Sequence, residues 1–194
     1  MGTAGVSDGS AVFLDRDGVL IEHVHHLRRA ADVALVPGAQ EAVAALNRNG
    51  IAAVVVTNQS VIARGLCSEE ELARIHAVLR EQLQPAQLEA VYYCPHLPPD
   101  NNDAPRPPLR VVCTCRKPAP GLLELAAREH DLDLARSLMI GDSTSDVEAG
   151  RRAGVEPALV RTGVGGRDAR YASSERVFDD VGEAVRWWIA NRPR

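Results

Sequence analysis

Five short apolar runs recur along the 194-residue chain, and stretches with helical periodicity separate them. They are Val12-Phe13-Leu14, Ile51 to Val56, Leu88 to Tyr93, Ser137 to Ile140 and Val155 to Val160. The second of these, Ile-Ala-Ala-Val-Val-Val, contains no polar residue. A strand with one wet face alternates, so an unbroken run of this kind implies cover on both faces. The intervening helical segments carry their own signals. Ala39 to Asn49 directs Val43 and Leu46 inward and stops at Gly50. Ser68 with Glu71 reads as a capping box that opens a helix bearing Leu72, Ile75, Leu79 and Leu83 before Pro85. Pro120 to His130, a segment through Ala149 to Ala153 ending at Gly154, and Val181 to Asn191 with Trp187 or Trp188 buried complete the set. Val33 to Val36 reads as one further brief strand before Pro37-Gly38. Strands alternating with helices predict an α/β fold, a doubly wound and mostly parallel sheet. With no repeat and no linker, residues 1–194 form a single domain, interrupted by one inserted loop at 94–115.

What closes the apolar runs matters more than the runs themselves. Asp15 and Asp17 end the first, Thr57 and Asn58 the second, and Asp142 follows Gly141 at the fourth. Bare carboxylates resist desolvation, and an open α/β sheet gathers its ligands at the carboxyl ends of its strands. Arg116-Lys117 leads into the helix behind the inserted loop and supplies cations to the same rim. Carboxylates for a hard divalent cation, hydroxyl and amide donors and two cations suit phosphoryl transfer. Taken singly, each feature has a plainer reading as a turn or a cap; their recurrence at strand ends favours a common site. Gly163-Val164-Gly165-Gly166 does not match a nucleotide-binding fingerprint and reads as a flexible turn. The net charge of −4 gives no general drive toward nucleic acid or anionic membrane, and no apolar stretch has the length of a membrane helix. The start, Met1 to Ser10, is small and polar, unlike a signal peptide, so a cytoplasmic protein is expected.

The inserted loop has its own chemistry. Eight of the twelve prolines lie between Pro95 and Pro120, and few large apolar side chains accompany them. Such a segment cannot pack a core of its own, but a structural metal could order it. Cys94-X-His96 and Cys113-X-Cys115 offer three thiolates and one imidazole, a tetrahedral Zn²⁺ set with all four positions filled, hence structural rather than catalytic. Buried small hydrophobes are the alternative for these cysteines. Cys67 reads as a lone, semi-buried thiol.

Read together, Asp15-Arg16-Asp17-Gly18, Thr57, Lys117, and Gly141-Asp142 followed by Asp146 resemble the four motifs of the haloacid dehalogenase superfamily, phosphatase branch. Within it, Phe13 to Gly18, Thr57-Asn58-Gln59-Ser60 with Ile62-Ala63-Arg64-Gly65, Tyr93 to His96, and Cys113 to Pro118 are similar to the heptose 1,7-bisphosphate 7-phosphatases, with the histidinol-phosphatases as neighbours. The resemblance implies Mg²⁺-dependent hydrolysis through an aspartyl-phosphate. It makes Asp15 the nucleophile and Asp17 the acid/base, with Thr57 and Lys117 on the phosphoryl oxygens. Mg²⁺ would be held by Asp15, the Asp17 backbone and Asp142. It implies substrate contacts from Asn58, Gln59, Ser60 and Arg116 and, after the nucleophile loop, from His23 and His26. It also implies Zn²⁺ on Cys94, His96, Cys113 and Cys115, holding Arg116-Lys117 over the pocket. With no large cap domain, a small monomer acting on a sugar phosphate is expected. Val61 and Ser143 depart from the subgroup, where glycine and lysine are usual, and Glu22 to Leu27 lacks its aromatic residue. Histidinol phosphate is the neighbouring substrate reading, and a non-catalytic zinc-stabilised binding protein the reading from another class.

Overall fold

The computed structural model describes residues 9–99 and 107–193; the polar start and the middle of the Pro-rich loop lie largely outside them. Six parallel strands form one sheet in the order β3-β2-β1-β4-β5-β6. They are β1 (Ala11–Leu14), β2 (Ala52–Asn58), β3 (Ala90–Cys94), β4 (Leu138–Gly141), β5 (Glu156–Val160) and β6 (Val177–Phe178). Five helices cover it: α1 (Ala39–Arg48), α2 (Glu69–Leu83), α3 (Gly121–His130), α4 (Thr144–Ala153) and α5 (Val181–Asn191).

Strand alternation divides the core in two. Val12, Leu14, Val55, Leu138 and Ile140 face α1, α2 and α5, whereas Ala11, Phe13, Val54, Val56 and Met139 face α3 and α4. Every residue of β1 and β4 is buried, as the unbroken apolar runs predict. Burying each such side chain favours the fold by about 2 kcal/mol. The strand order reverses at β1, between β2 and β4, and that is where a doubly wound sheet opens its ligand crevice.

The elements differ from the sequence reading in a few places. Val33 to Val36 makes one antiparallel bridge, Ile21 with Leu35, in place of a strand, because a 3₁₀ turn at Ala30–Asp32 and Pro37 leave no room for a ladder. Ser68 caps α2 by accepting from the Glu71 amide, but the Glu71 carboxylate turns away to the Ala30 amide and to Arg74, so the expected reciprocal box is half made. Of the two tryptophans on α5, Trp188 is the buried one. β6 was not expected; two residues are too short to carry a period.

Candidate active site

Asp15 leaves β1 at its carboxyl end, its amide tied to the Ile140 carbonyl of β4 at 2.9 Å. Asp142 leaves β4 beside it, and Lys117 reaches the same point from the start of the α3 approach. Lys117 is 3% exposed; its Nζ donates to the Val56 carbonyl at 2.7 Å and pairs with Asp146 Oδ1 at 2.7 Å and Asp15 Oδ1 at 3.0 Å. Burial alone would lower its pKa, but the charges of Asp146 and Asp15 outweigh that and hold the ammonium above its usual range. Asp15 Oδ1 also accepts from the Arg16 amide at 2.7 Å. Among the described residues both of these partners bind Oδ1. Asp146 Oδ2 is held by the Ser143 amide and hydroxyl at 3.0 and 2.8 Å.

Carboxylate oxygens of Asp15, Asp142 and Asp146 lie within 4.8 Å of one another. Burial first, and then the charge of Asp15, push Asp142 up to about 8. One lysine does not balance three carboxylates in a buried place, and hard oxygen donors with excess negative charge are the donor set that Mg²⁺ takes. Since Asp146 is engaged by Lys117 and Ser143, Asp15 and Asp142 are the side chains best placed for such an ion.

The cavity over this cluster, about 240 Å³, is lined by Asp15, Asp17, Thr57, Asn58, Gln59 and Ser60 together with the 23–27 segment. His23 and His26 therefore stand at its wall, His23 Nδ1 being 4.0 Å from Asp142 Oδ2. The amide of Asn58, which also meets the cavity, pairs with the Lys117 backbone, donating to its carbonyl at 3.1 Å and accepting from its N–H at 3.0 Å. Arg116 lies to the side: its Nη1 donates to the His96 carbonyl at 3.0 Å, and burial lowers its pKa, with Arg170 and Arg64 adding repulsion.

Three features of the site went unread in the sequence. Arg16, between the two acids, is fully buried and forks onto Asp17. His76 of α2 stands behind it, its Nε2 3.3 Å from Arg16 Nη1. The Gly163–Gly166 turn, expected to be merely flexible, forms one wall of the carboxylate cluster. Val164 N–H donates to Asp142 Oδ2 at 2.6 Å and the Thr162 hydroxyl to the Gly18 carbonyl at 2.6 Å. A Cβ on Gly18 or Gly163 would lie 2.3 or 2.1 Å from Asp142 Oδ2, so both must be glycine. The signal was present: this turn follows β5, at the same carboxyl edge that selected Asp15 and Asp142.

Cys94, His96, Cys113 and Cys115 converge as one group, with sulfur–sulfur distances of 3.1, 3.4 and 3.6 Å and His96 Nδ1 at 3.3 and 3.5 Å from two of the sulfurs. These are not disulfide separations. Four ligands at tetrahedral Zn²⁺ bond lengths would stand about 3.5–3.8 Å apart, which the cluster approximates. Burial raises the Cys94 and Cys115 thiols, so a metal must displace their protons to bind.

Known proteins resemble this chain in sequence and in fold. The HAD-hydrolase-like family matches residues 114–184. The D-glycero-D-manno-heptose-1,7-bisphosphate 7-phosphatase of Thermosynechococcus vestitus is 40% identical over 191 residues, 91% of this chain and 94% of that protein. The D-glycero-beta-D-manno-heptose-1,7-bisphosphate 7-phosphatase of Rhodopseudomonas palustris is 38% identical over 79% of this chain and 84% of its own. Among solved structures, the D,D-heptose 1,7-bisphosphate phosphatase of B. bronchiseptica, complexed with magnesium and phosphate, superposes with a TM-score of 0.80 at 33% identity, covering 93% of this chain and 98% of that one.

Proposed function

The chain belongs to the haloacid dehalogenase-like hydrolases, among the heptose 1,7-bisphosphate 7-phosphatases, and on that premise we propose that it hydrolyses the 7-phosphate of D-glycero-D-manno-heptose 1,7-bisphosphate, leaving heptose 1-phosphate. The observation that carries the reading is the joint placement of Asp15, Lys117, Asp142 and Asp146 at the carboxyl ends of β1 and β4, with Asp17 and Thr57 on the same cavity.

In this reading an Asp15 carboxylate oxygen attacks phosphorus, and the bond from phosphorus to the sugar oxygen breaks. Asp17, in its protonated form, gives its proton to the departing oxygen. Asp17 then takes a proton from water, whose oxygen attacks the aspartyl-phosphate; inorganic phosphate leaves and the Asp15 carboxylate is restored. Thr57 donates its hydroxyl to a phosphoryl oxygen, and the Lys117 ammonium offsets developing charge. Mg²⁺ held by Asp15, Asp142 and the Asp17 backbone supplies charge neutralisation between an anionic nucleophile and an anionic phosphate. The His23–His26 segment and Ser60 meet the sugar, and Arg116 serves the far end of the substrate. Zn²⁺ on the Cys/His group orders the loop from which Arg116 and Lys117 project.

The test is phosphate release from both anomers of the bisphosphate and from histidinol phosphate, with and without Mg²⁺, with the product identified. Mg²⁺-dependent loss of the 7-phosphate is expected. Preference for histidinol phosphate would replace the substrate and keep the chemistry, and no turnover of any ester by folded, zinc-loaded protein would overturn the enzyme reading.

A further inference from the structure

Gln59 was expected to meet substrate, yet its amide is wholly engaged by three neighbours inside the protein. It is 3% exposed, two residues past Thr57, with its backbone N–H on the Cys94 carbonyl at 2.7 Å. Its Oε1 accepts from Arg16 Nη2 at 2.9 Å, and its Nε2 donates to Asp17 Oδ2 at 2.8 Å and to Thr57 Oγ1 at 2.9 Å. The direction of this amide is not arbitrary. A guanidinium has donors only, so the face toward Arg16 must be the carbonyl oxygen. Reversal would set donor against donor at Arg16 and acceptor against carboxylate at Asp17.

We propose that Gln59, oriented by the buried Arg16, is a positioning residue that aims both the acid/base Asp17 and the phosphate-binding hydroxyl of Thr57. At Thr57, the oxygen already accepts from Gln59, which leaves the hydroxyl proton to be donated to a phosphoryl oxygen. At Asp17 the two oxygens become unequal. Oδ2 accepts from Arg16 Nε at 3.1 Å and from Gln59 Nε2 at 2.8 Å, whereas Oδ1 accepts from Arg16 Nη2 at 3.0 Å, the same nitrogen that donates its other hydrogen to Gln59. Two donors occupy the lone pairs of Oδ2 and a single donor takes one of those of Oδ1, so the transferable proton travels on Oδ1. Arg16 is itself held from behind by His76, which burial and the Arg16 charge keep neutral, so His76 Nε2 is an acceptor. One amide thereby couples the group that protonates the leaving oxygen to the group that grips the phosphate.

The inference rests on Asp17 and Thr57 having the roles proposed above, and leaving-group dependence separates the two questions. A p-nitrophenolate departs without a proton, whereas a sugar alkoxide does not. In Gln59→Met, which keeps length and removes both donors, turnover of the sugar phosphate is expected to fall about 100-fold. p-Nitrophenyl phosphate should still phosphorylate Asp15, giving a burst of one p-nitrophenol per enzyme before a slow steady state. Inhibition by inorganic phosphate should weaken about tenfold, from the misdirected Thr57 hydroxyl. Arg16→Lys, which keeps the charge and loses the fork, should show the same pattern in milder form, and it carries the test if Gln59→Met does not fold. Asp17→Asn is the control. If it shows no leaving-group dependence, the acid role of Asp17 fails and takes this inference with it. If Asp17→Asn shows the dependence while folded Gln59→Met slows both esters equally without a burst, the positioning role alone is overturned.

Discussion

Asp15 and Asp142 hang from strands in which every residue is buried, whereas Cys113 and Cys115 close a loop in which Val112 is 88% exposed. Both regions gather the ligand types of a metal ion, but for different reasons. The carboxylates meet because β1 and β4 are adjacent in register, Leu14 beside Ile140, and the cost of crowding their charges is met by the packing of two helical layers. The cysteines meet where a loop folds back on the sheet: Cys94 ends β3 in the core, Cys113 and Cys115 pack against that core from the loop, and Leu97 ties the loop's described ends through the Leu109 carbonyl and the Val111 amide. The carboxylates are positioned by two strands, whereas the cysteine group joins the end of β3 to a proline-rich loop, which the proposed Zn²⁺ would order. The pair Arg116-Lys117 straddles the boundary. Lys117 is secured from the carboxylate side by Val56, Asn58, Asp15 and Asp146, and Arg116 from the cysteine side by the His96 carbonyl.

The hardest test of the carboxylate rim is Asp15→Asn, which keeps shape and an oxygen for the Arg16 amide but removes the nucleophile. Turnover is expected to fall at least about 10⁴-fold, with the thermal midpoint within a few degrees of the parent. Phosphate release and a melting curve check this. Turnover near the parental rate would show that the reacting centre lies elsewhere and leave the rim a structural charge cluster.

Strand ends made Asp15, Asp17, Thr57 and Asp142 legible in the sequence, because a buried run that ends in acids or hydroxyls points to a cavity, and Lys117 was legible as a cation leading into the helix behind the inserted loop. Val181 to Asn191 was legible to the residue, with Asp180 accepting from the Glu183 amide as its cap. Arg16 was not: nothing local distinguishes a buried guanidinium from a solvated one, and its burial follows from α2 laying His76 behind it. The turn's place at the rim was readable from its position after β5, but the demand for glycine at 163 was not, since the clash its Cβ would make is with Asp142, 21 positions earlier. What local chemistry decides can be read along the chain, and what a distant element's approach decides cannot.

Removing the metal from the cysteine side should separate the two cations. Chelation of the zinc-loaded protein, or Cys113→Ser, is expected to raise hydrogen exchange through the Pro-rich loop while the strands remain protected. KM should rise by up to about 100-fold as Arg116 loses its anchor, with kcat within about threefold because Lys117 is held from the sheet. Metal content, exchange and steady-state kinetics together check this. A fall in kcat with unchanged KM would show instead that the loop metal governs Lys117, and the division between the two regions would be wrong.

Acid stresses the two regions differently. Burial and the nearby Arg16 charge lower His76 to about 3, from an ordinary value near 6.5. Below about pH 6.5 the unfolded chain takes up a proton that the folded chain refuses, so stability is lost as pH falls from 6.5 toward 3. At pH 5 the loss amounts to about 2 kcal/mol. His76→Gln keeps an acceptor for Arg16 and does not titrate, so denaturant titrations at pH 7 and pH 5 should show this part of the acid loss removed. Zinc release from the cysteine side below neutral pH should be unaffected by the change. If His76→Gln protein loses as much stability as the parent between pH 7 and 5, the support behind the rim is not what acid attacks.

The smallest change with a distinct expectation is Gly163→Ala. Gly163 has φ of +58°, and an added Cβ would lie 2.1 Å from Asp142 Oδ2 and 2.7 Å from the Gly18 Cα. Both neighbours are fixed, Asp142 by the Val164 N–H and Gly18 by the Thr162 hydroxyl, so the turn itself must withdraw. Withdrawal takes the N–H away from Asp142 and loosens the carboxylate best placed to hold Mg²⁺. The half-saturating Mg²⁺ concentration is expected to rise about tenfold, with kcat at saturating Mg²⁺ within about threefold of the parent. Gly154→Ala supplies the comparison. Its φ is +73°, so the backbone strain is similar, but no atom lies within 4 Å of the added Cβ. It should therefore lose about 1 kcal/mol of stability and leave the Mg²⁺ requirement unchanged. An equal shift in Mg²⁺ requirement from both variants would assign the effect to general loosening of the fold. A shift confined to Gly163→Ala would show that a turn after β5 governs an acid after β4.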